Sequence, residues 1–400
     1  MSSTRAGRWI KQLEGYKAFI PSLLPPDPPI RLDTAMANLL SDADRALGRL
    51  DGVATVLPNP DLFVATYVKH EAVLSSQIEG TQSTLEDVLE YEADGPQEGL
   101  SKDVQEVVNY VAAMNHGLRR LPTLPLSKRL LREIHGELLQ GTRGGEKTPG
   151  EFRTSQNWIG PAGCTLSTAS FVPPPPSQLH DALDGLERFL HNREALPPLI
   201  HVALAHAQFE TIHPFLDGNG RVGRLLITLL LCERGVLRQP LLYLSIYLKA
   251  HRAQYYDRLT AIRQDGDWEG WLAFFLRGVR EVSDSATQTA QDILKLRETA
   301  REQVHNANAL RLIDGLFQHP VVNVRKAEQV LGCSFATADK TLSELEGLGL
   351  VREITGGKRN RRFRFEPYLQ LFECSPFAAG DDDENAVAML TGAQPMAGDR

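Results

Sequence analysis

Apolar residues recur every three or four positions from residue 32 to about 91, as at Leu39, Ala46 and Leu50. That spacing predicts helices with one buried stripe. A polar, glycine-bearing joint follows at 92–101. Two more amphipathic helices are predicted over 103–118 and 127–140, the second with Ser127 as its N-cap. Between 142 and 176 the texture changes to Gly, Thr, Ser and Pro, ending in the run from Pro173 to Pro176. Such a stretch is no helix. Within it, residues 157–171, with Gly160 and Gly163 between two short runs, predict a β-hairpin. Helical patterning returns at 177–191, 199–212, 221–234, 255–263 and 268–279, and a polar helix is predicted over 286–304.

The last quarter has a different character. Short helices are predicted over 307–317, 323–331 and 334–345, then strands over 351–354 and 362–365 joined by a basic, glycine-bearing turn. Three helices and a two-stranded wing make a winged helix-turn-helix. From Ala378 the chain is rich in Gly, Ala and Asp and reads as a disordered tail. The expected fold is mainly α: a helical bundle with one β-hairpin, plus a C-terminal winged helix-turn-helix domain.

Composition narrows the class. Four hundred residues predict two or three domains, and 42% apolar with 23% charged residues is ordinary for a soluble globular chain. A net charge of −7 argues against wholesale coating of nucleic acid. Cys164, Cys232, Cys333 and Cys374 are far apart, which suits a reduced cytosol and excludes a thiolate zinc cluster. The polar start, MSSTRAGRWI, predicts no signal peptide, and a cytoplasmic location is expected. The longest apolar run, 225–232, is far short of the roughly 20 residues that span a bilayer, so no membrane contact is expected.

The chemistry concentrates in one run: His213, Pro214, Phe215, Leu216, Asp217, Gly218, Asn219, Gly220, Arg221, Val222, Gly223, Arg224. Gly218 and Gly220 can adopt positive φ, so successive amides can converge on an anion. The helix predicted from Arg221 adds free N–H groups and the positive end of its dipole. Asn219 offers a side-chain donor, and Arg221 and Arg224, one turn apart, offer forked donors to phosphate. Asp217 is a hard oxygen ligand suited to a cation bridging phosphates. His213, with an ordinary pKa near ~6.5, can take a proton at neutral pH. Any one of these residues alone is commonplace; twelve positions holding a base, a metal ligand and a phosphate cradle are not.

This run matches, without departure, the Fic family signature H-P-F-x-[DE]-G-N-G-R-x-x-R, and residues 32–279 resemble that family. The resemblance implies an all-α catalytic core with one hairpin flap. It implies a protein adenylyltransferase in which His213 deprotonates a Ser, Thr or Tyr hydroxyl that attacks the α-phosphorus of ATP. Asp217 would hold Mg²⁺ or Mn²⁺. Gly218, Asn219, Gly220, Arg221, Val222, Gly223 and Arg224 would surround the phosphates, and Tyr256 and Leu259 the adenine. The target protein would pair with the flap at 157–171. Doc-like kinases of the family carry Lys where this chain has Gly220, which favours AMP transfer here; relatives that transfer UMP or phosphocholine are the alternative. On this reading the chain divides into an N-terminal helical region (1–101), a catalytic core (102–285), a connecting helix (286–304), a winged helix domain (305–370) and the tail (371–400).

A second motif, Ser75-Ser76-Gln77-Ile78-Glu79-Gly80, resembles the family's inhibitory helix, [ST]-x-x-x-E-[GN], in the N-terminal placement called class II. The resemblance implies that Glu79 pairs with Arg224 in place of the γ-phosphate, and that a reverse, de-AMPylating reaction is open. The wing carries Arg352, Lys358, Arg359, Arg361, Arg362 and Arg364 against Glu353, so DNA or a protein is the expected partner of this domain, and a homodimer is another. A rival reading is a DNA-binding regulator with a vestigial Fic core. His70-Glu71 lacks the second His of a zinc protease, and there is no P-loop.

Overall fold

The structure is a computed structural model that describes residues 3–56, 60–94, 101–161, 163–194, 196–357 and 360–373. Most of the predicted joint, Lys358 and Arg359 of the wing, Cys374 and the tail from Ala378 lie outside the described residues. The chain opens with three strands, β1 (Ser3–Thr4), β2 (Gly7–Lys11) and β3 (Lys17–Pro21), in an antiparallel meander. The sequence reading, an N-terminal region of helices, had no strand here. Trp9 and Phe19 are cross-strand partners whose rings meet edge to face, 5.1 Å apart, and both lie against Phe171.

Five helices follow: α1 (Thr34–Val56), α2 (Pro60–Ile78), α3 (Leu85–Asp94), α4 (Lys102–Arg120) and α5 (Lys128–Leu138). Ser127 caps α5 by accepting from Leu130 N. The flap between α5 and α6 (Pro176–His191) is less regular than a hairpin. One bridge pair, Ile159 with Phe171, is all the strand pairing it has among the described residues. Its Gly, Pro and Thr content leaves few consecutive residues able to sustain a ladder.

The centre of the molecule is the pair α7 (Pro198–Ile212) and α8 (Asn219–Glu233). Every residue from Leu199 to Ile212 is buried, as is most of α8, so both helices are covered on all sides. Then come α9 (Ser245–Ala250), α10 (Arg252–Asp265) and α11 (Trp268–Glu302). Two separate helices were expected where α11 runs unbroken for 35 residues. The polar stretch after Val279 blurs the apolar period but holds neither Gly nor Pro, so nothing stops the helix. Among the described residues no helix is long and apolar enough to cross a membrane.

At the C-terminal end stand α12 (Ala307–Leu316), β4 (Val321–Asn323), α13 (Val324–Leu331), α14 (Phe335–Gly347), β5 (Arg352–Glu353), β6 (Arg362–Arg364) and α15 (Glu366–Glu373). The sheet has the order β4-β6-β5, one strand more than expected. Helix α15 reaches into what was read as tail because Tyr368 and Phe372 are buried.

Candidate active site

The loop between α7 and α8 is fixed from within and from outside. From within, Asn219 Oδ1 accepts from Phe215 N at 2.8 Å and Asn219 Nδ2 donates to Phe215 O at 2.9 Å. The side chain expected to bind phosphate is thus engaged in closing its own loop. Gly218 caps α8 at φ 73°, a conformation that glycine adopts without strain. His135 stacks on Phe215 at 3.8 Å. Gly150 N donates to His135 Nδ1, so the ring hydrogen sits on Nε2 and goes to Asp217 O.

From outside, Arg153 and Asn157 hold the loop by its carbonyls. Arg153 donates to the oxygens of His213 and Pro174, and Asn157 Nδ2 to those of His213 and Phe215. These bonds support an unusual residue. His213 ends α7 at φ 49°, in the left-handed region that a non-glycine residue adopts only when its surroundings impose it. Burial, then Arg263 and Arg153, push the His213 imidazole down to about 4. It is therefore a neutral base. Its Nδ1 is buried without a hydrogen-bond partner.

Asp217 is about one-third exposed; its Oδ1 accepts from Gly218 N and its Oδ2 lies 3.3 Å from Lys147 Nζ. Among the described residues no three His, Cys, Asp or Glu side chains cluster to hold a metal alone. A single carboxylate beside a phosphate cradle nevertheless suits Mg²⁺, which takes one or two carboxylates and completes its shell with phosphates and water. The residues fit such an ion.

The first-turn amides of α8, at Asn219, Gly220 and Arg221, have no carbonyl within the helix to bond and are free for an anion. Arg221 is buried against Glu106, which also receives Arg143 and Thr81. Arg224 is buried too, and three acceptors of α2 and its end converge on it. Its Nε donates to Ser75 Oγ, and its Nη2 to Ser75 O and to Glu79 Oε1 at 2.7 Å. Ser75 and Glu79 are one helical turn apart, which explains the S-x-x-x-E spacing. Arg224 is buried while Glu79 keeps about a third of its side chain exposed, and for both the loss of water works against charge. Their mutual attraction outweighs it, holding Glu79 below the usual carboxylate range and Arg224 above the usual arginine range. Gly220 makes the approach possible: a Cβ there would lie 2.1 Å from Glu79 Oε1.

Of the other expected residues, Val222, Gly223 and Leu259 face the core, and Tyr256 lies near Glu79. Val222 is buried in the core, offering only backbone to the loop. Gly223 faces inward, where Glu210 Oε1 would be 2.2 Å from a Cβ. Leu259 is buried in the core. Tyr256 is half-buried beside Tyr255, and burial, then the nearby Glu79, push its hydroxyl up to about 12. Sequence reasoning missed Arg153, Asn157, Glu106 and Glu210, and gave Arg263 no role; its guanidinium lies 3.9 Å over the Phe171 ring of the flap. Among the described residues, four arginines of the expected wing are paired: Arg352 with Glu366, Arg361 with Asp339, Arg362 with Glu90 and Arg364 with Glu86. These four pairs offset charge that the sequence alone presents as free.

A helical core built round a buried α7–α8 pair is a fold shared with solved structures. A Fic family protein from Desulfovibrio desulfuricans superposes with a TM-score of 0.55 at 21% identity, over 84% of this chain and 97% of that one. A Fic domain containing signaling protein from Bacteroides thetaiotaomicron gives 0.50 at 18% identity, over 62% and 97%. At such identities the likeness is one of fold. Residues 37–119 match the Fic/DOC family N-terminal region and residues 125–231 the Fic/DOC family. The chain thus carries a Fic/DOC N-terminal segment followed by a Fic/DOC segment. The protein adenylyltransferase Fic of Aedes aegypti is 36% identical over 127 residues, 31% of this chain and 22% of that protein. A probable protein adenylyltransferase of Aquifex aeolicus is 27% identical over 190 residues, 48% and 56%. The chain thus spans between a fifth and just over half of these relatives.

Proposed function

We propose that this chain transfers AMP from ATP to a Ser, Thr or Tyr hydroxyl of a protein, and that Glu79 restrains the transfer. The observation that carries this reading is the α7–α8 loop. A neutral histidine, a partly exposed carboxylate and the free amides of a helix start lie within one short turn. His213 takes the proton of the attacking hydroxyl. The oxygen bonds to the α-phosphorus, the bond from that phosphorus to the bridging oxygen breaks, and pyrophosphate leaves. The amides of the α8 start and the arginines offset charge on the phosphates. A Mg²⁺ ion at Asp217 would neutralise phosphate charge when bound. Gly220, where kinases of the family carry Lys, favours AMP over γ-phosphate. The names of the related adenylyltransferases support the same chemistry.

Glu79 restrains by occupying Arg224, the guanidinium that the γ-phosphate needs. The same carboxylate, set against Gly220 at the start of α8, is placed to orient a water for removing AMP. We read residues 102–285 as the catalytic core and 305–370 as a winged helix that docks a protein or DNA, in a cytoplasmic enzyme. The deciding experiment offers candidate proteins ATP labelled at the α- or the γ-phosphorus with Mg²⁺. Label arriving from the α position alone supports AMP transfer; label from the γ position overturns it.

A further inference from the structure

The C-terminal unit grips the helices that carry Glu79. Glu79 directly follows α2, and Gly80, at φ 95°, turns the chain towards α3. Helices α2 and α3 are tied to each other by Lys69 and Glu92 at 2.5 Å. Both are then held from the far end of the chain. On α3, Arg364 meets Glu86 at 2.6 Å and Arg362 meets Glu90 at 2.5 Å, both from β6, while Asn323 donates to the carbonyl of Ala93. On α2, the Phe372 ring of α15 packs against Tyr67 at 5.3 Å and His70 at 5.8 Å. The turn between the helices is held to α4 by Thr81 on the buried Glu106 and by Gln82 N on Asp103.

We infer that residues 307–373 have a regulatory function: they hold the α2–α3 hairpin against the core and so keep the Glu79 carboxylate in the phosphate cradle. Whatever pulls β6 and α15 away from this hairpin raises transfer. The inference rests on the reading of Glu79 as a restraint. Its physical basis is leverage. Glu79 sits about one residue beyond a helix whose position is set by packing, so a small shift of α2 moves the carboxylate off Gly220, where there is no spare room. The ion pairs on α3 are partly exposed and individually weak, which suits a contact meant to open.

The test uses the full chain and none of the residues placed in the cradle. Glu86→Gln with Glu90→Gln removes both pairs from the α3 side, and Arg362→Gln removes one from the other side. Two exposed pairs predict a rise of about two- to tenfold in transfer of α-labelled AMP. The same changes made on Glu79→Gly give no further rise, because the carboxylate they release is gone. Hydrogen exchange of the amides from 76 to 84 quickens in the Gln variants, a readout independent of activity. If Glu79→Gly activates while the Gln variants stay at the wild-type rate with unchanged exchange, this inference is wrong and the restraint stands. If Glu79→Gly does not activate, the restraint itself is wrong and the inference goes with it.

Discussion

Glu79 Oε1 lies 2.7 Å from Arg224 Nη2 and rests against the bare Cα of Gly220, at the start of α8. A carboxylate, an arginine and a glycine thus share the place where the outer phosphates of a nucleotide would sit. Glu79→Gly should raise AMP transfer, including transfer onto the enzyme itself. A hydrogen bond to a charged partner is worth about 1.5–3 kcal/mol, or roughly 10–100-fold. Glu79→Gln should relieve only part of this, since an amide still fills the space. The gain should vanish when Arg224→Ala is added. Unchanged activity in Glu79→Gly, with ATP affinity intact, would mean that the pair has only a structural role.

His213→Ala should cost about 10²–10⁴-fold in transfer, the usual contribution of a general base, while ATP binding measured by calorimetry stays close to wild type. Because burial and two arginines hold His213 down at about 4, transfer by Glu79→Gly should stay level from about pH 8 to about pH 6. An acid limb centred near the ordinary 6.5 would contradict that environment.

Stability should fall on mild acidification. His70, His135, His201, His206, His213 and His319 are all pushed down from 6.5 to about 4, by burial above all. Between those values the unfolded chain takes up protons that the fold refuses. Their contribution is therefore complete above about 6.5 and is lost as pH falls through about 4. Glu71 and Glu210, raised to about 7 by burial, act in the opposite sense: the fold keeps their protons, and their contribution is lost as pH rises from about 4.5 through 7. Six groups outweigh two. Each uncompensated proton is worth up to about 1.4 kcal/mol per pH unit. The urea midpoint should thus drop between pH 7 and pH 5; a midpoint that rises would refute the sign.

The loop from His213 to Arg224 was legible because its chemistry is contiguous and the helix start that completes it follows at once. Glu79 was legible only through the resemblance of its motif to the family's inhibitory helix; in the structure Ser75 and Glu79, one turn apart, meet the same guanidinium. What was hidden depends on distant partners. Arg153 reaches the His213 carbonyl across 60 positions and Glu106 reaches Arg221 across 115, and no local pattern marks either. Asn219 was given to phosphate because a side-chain amide in a loop looks available, whereas the loop closes on it. The strands β1–β3 were too short to compete with the Pro-rich sequence after them. The polar run after Val279 interrupts the apolar period and so reads as a break in α11, although helix propensity alone sustains it.

Gly223 offers the sharpest test of how α8 is seated. In a helix interior, replacing Gly with Ala ordinarily gains about 1 kcal/mol, since Gly loses more backbone freedom on folding. Here the sign should reverse. A Cβ at 223 would lie 2.2 Å from Glu210 Oε1 and 3.2 Å from a ring carbon of Phe209, both on the buried helix α7. Glu210 has nowhere to retreat; it is 6% exposed and its Oε1 is without a hydrogen-bond partner. Gly223→Ala alone should therefore destabilise by about 1–3 kcal/mol, the usual range for overpacking. Shortening the obstacle removes the clash. On a Glu210→Ala background the added methyl enters space that the carboxylate has left, so the second substitution should become stabilising and recover part of the loss. A thermal-shift cycle over the four proteins measures the coupling. If Gly223→Ala is stabilising in the presence of Glu210, the two residues are not in contact and the seating of α8 on α7 is not as described.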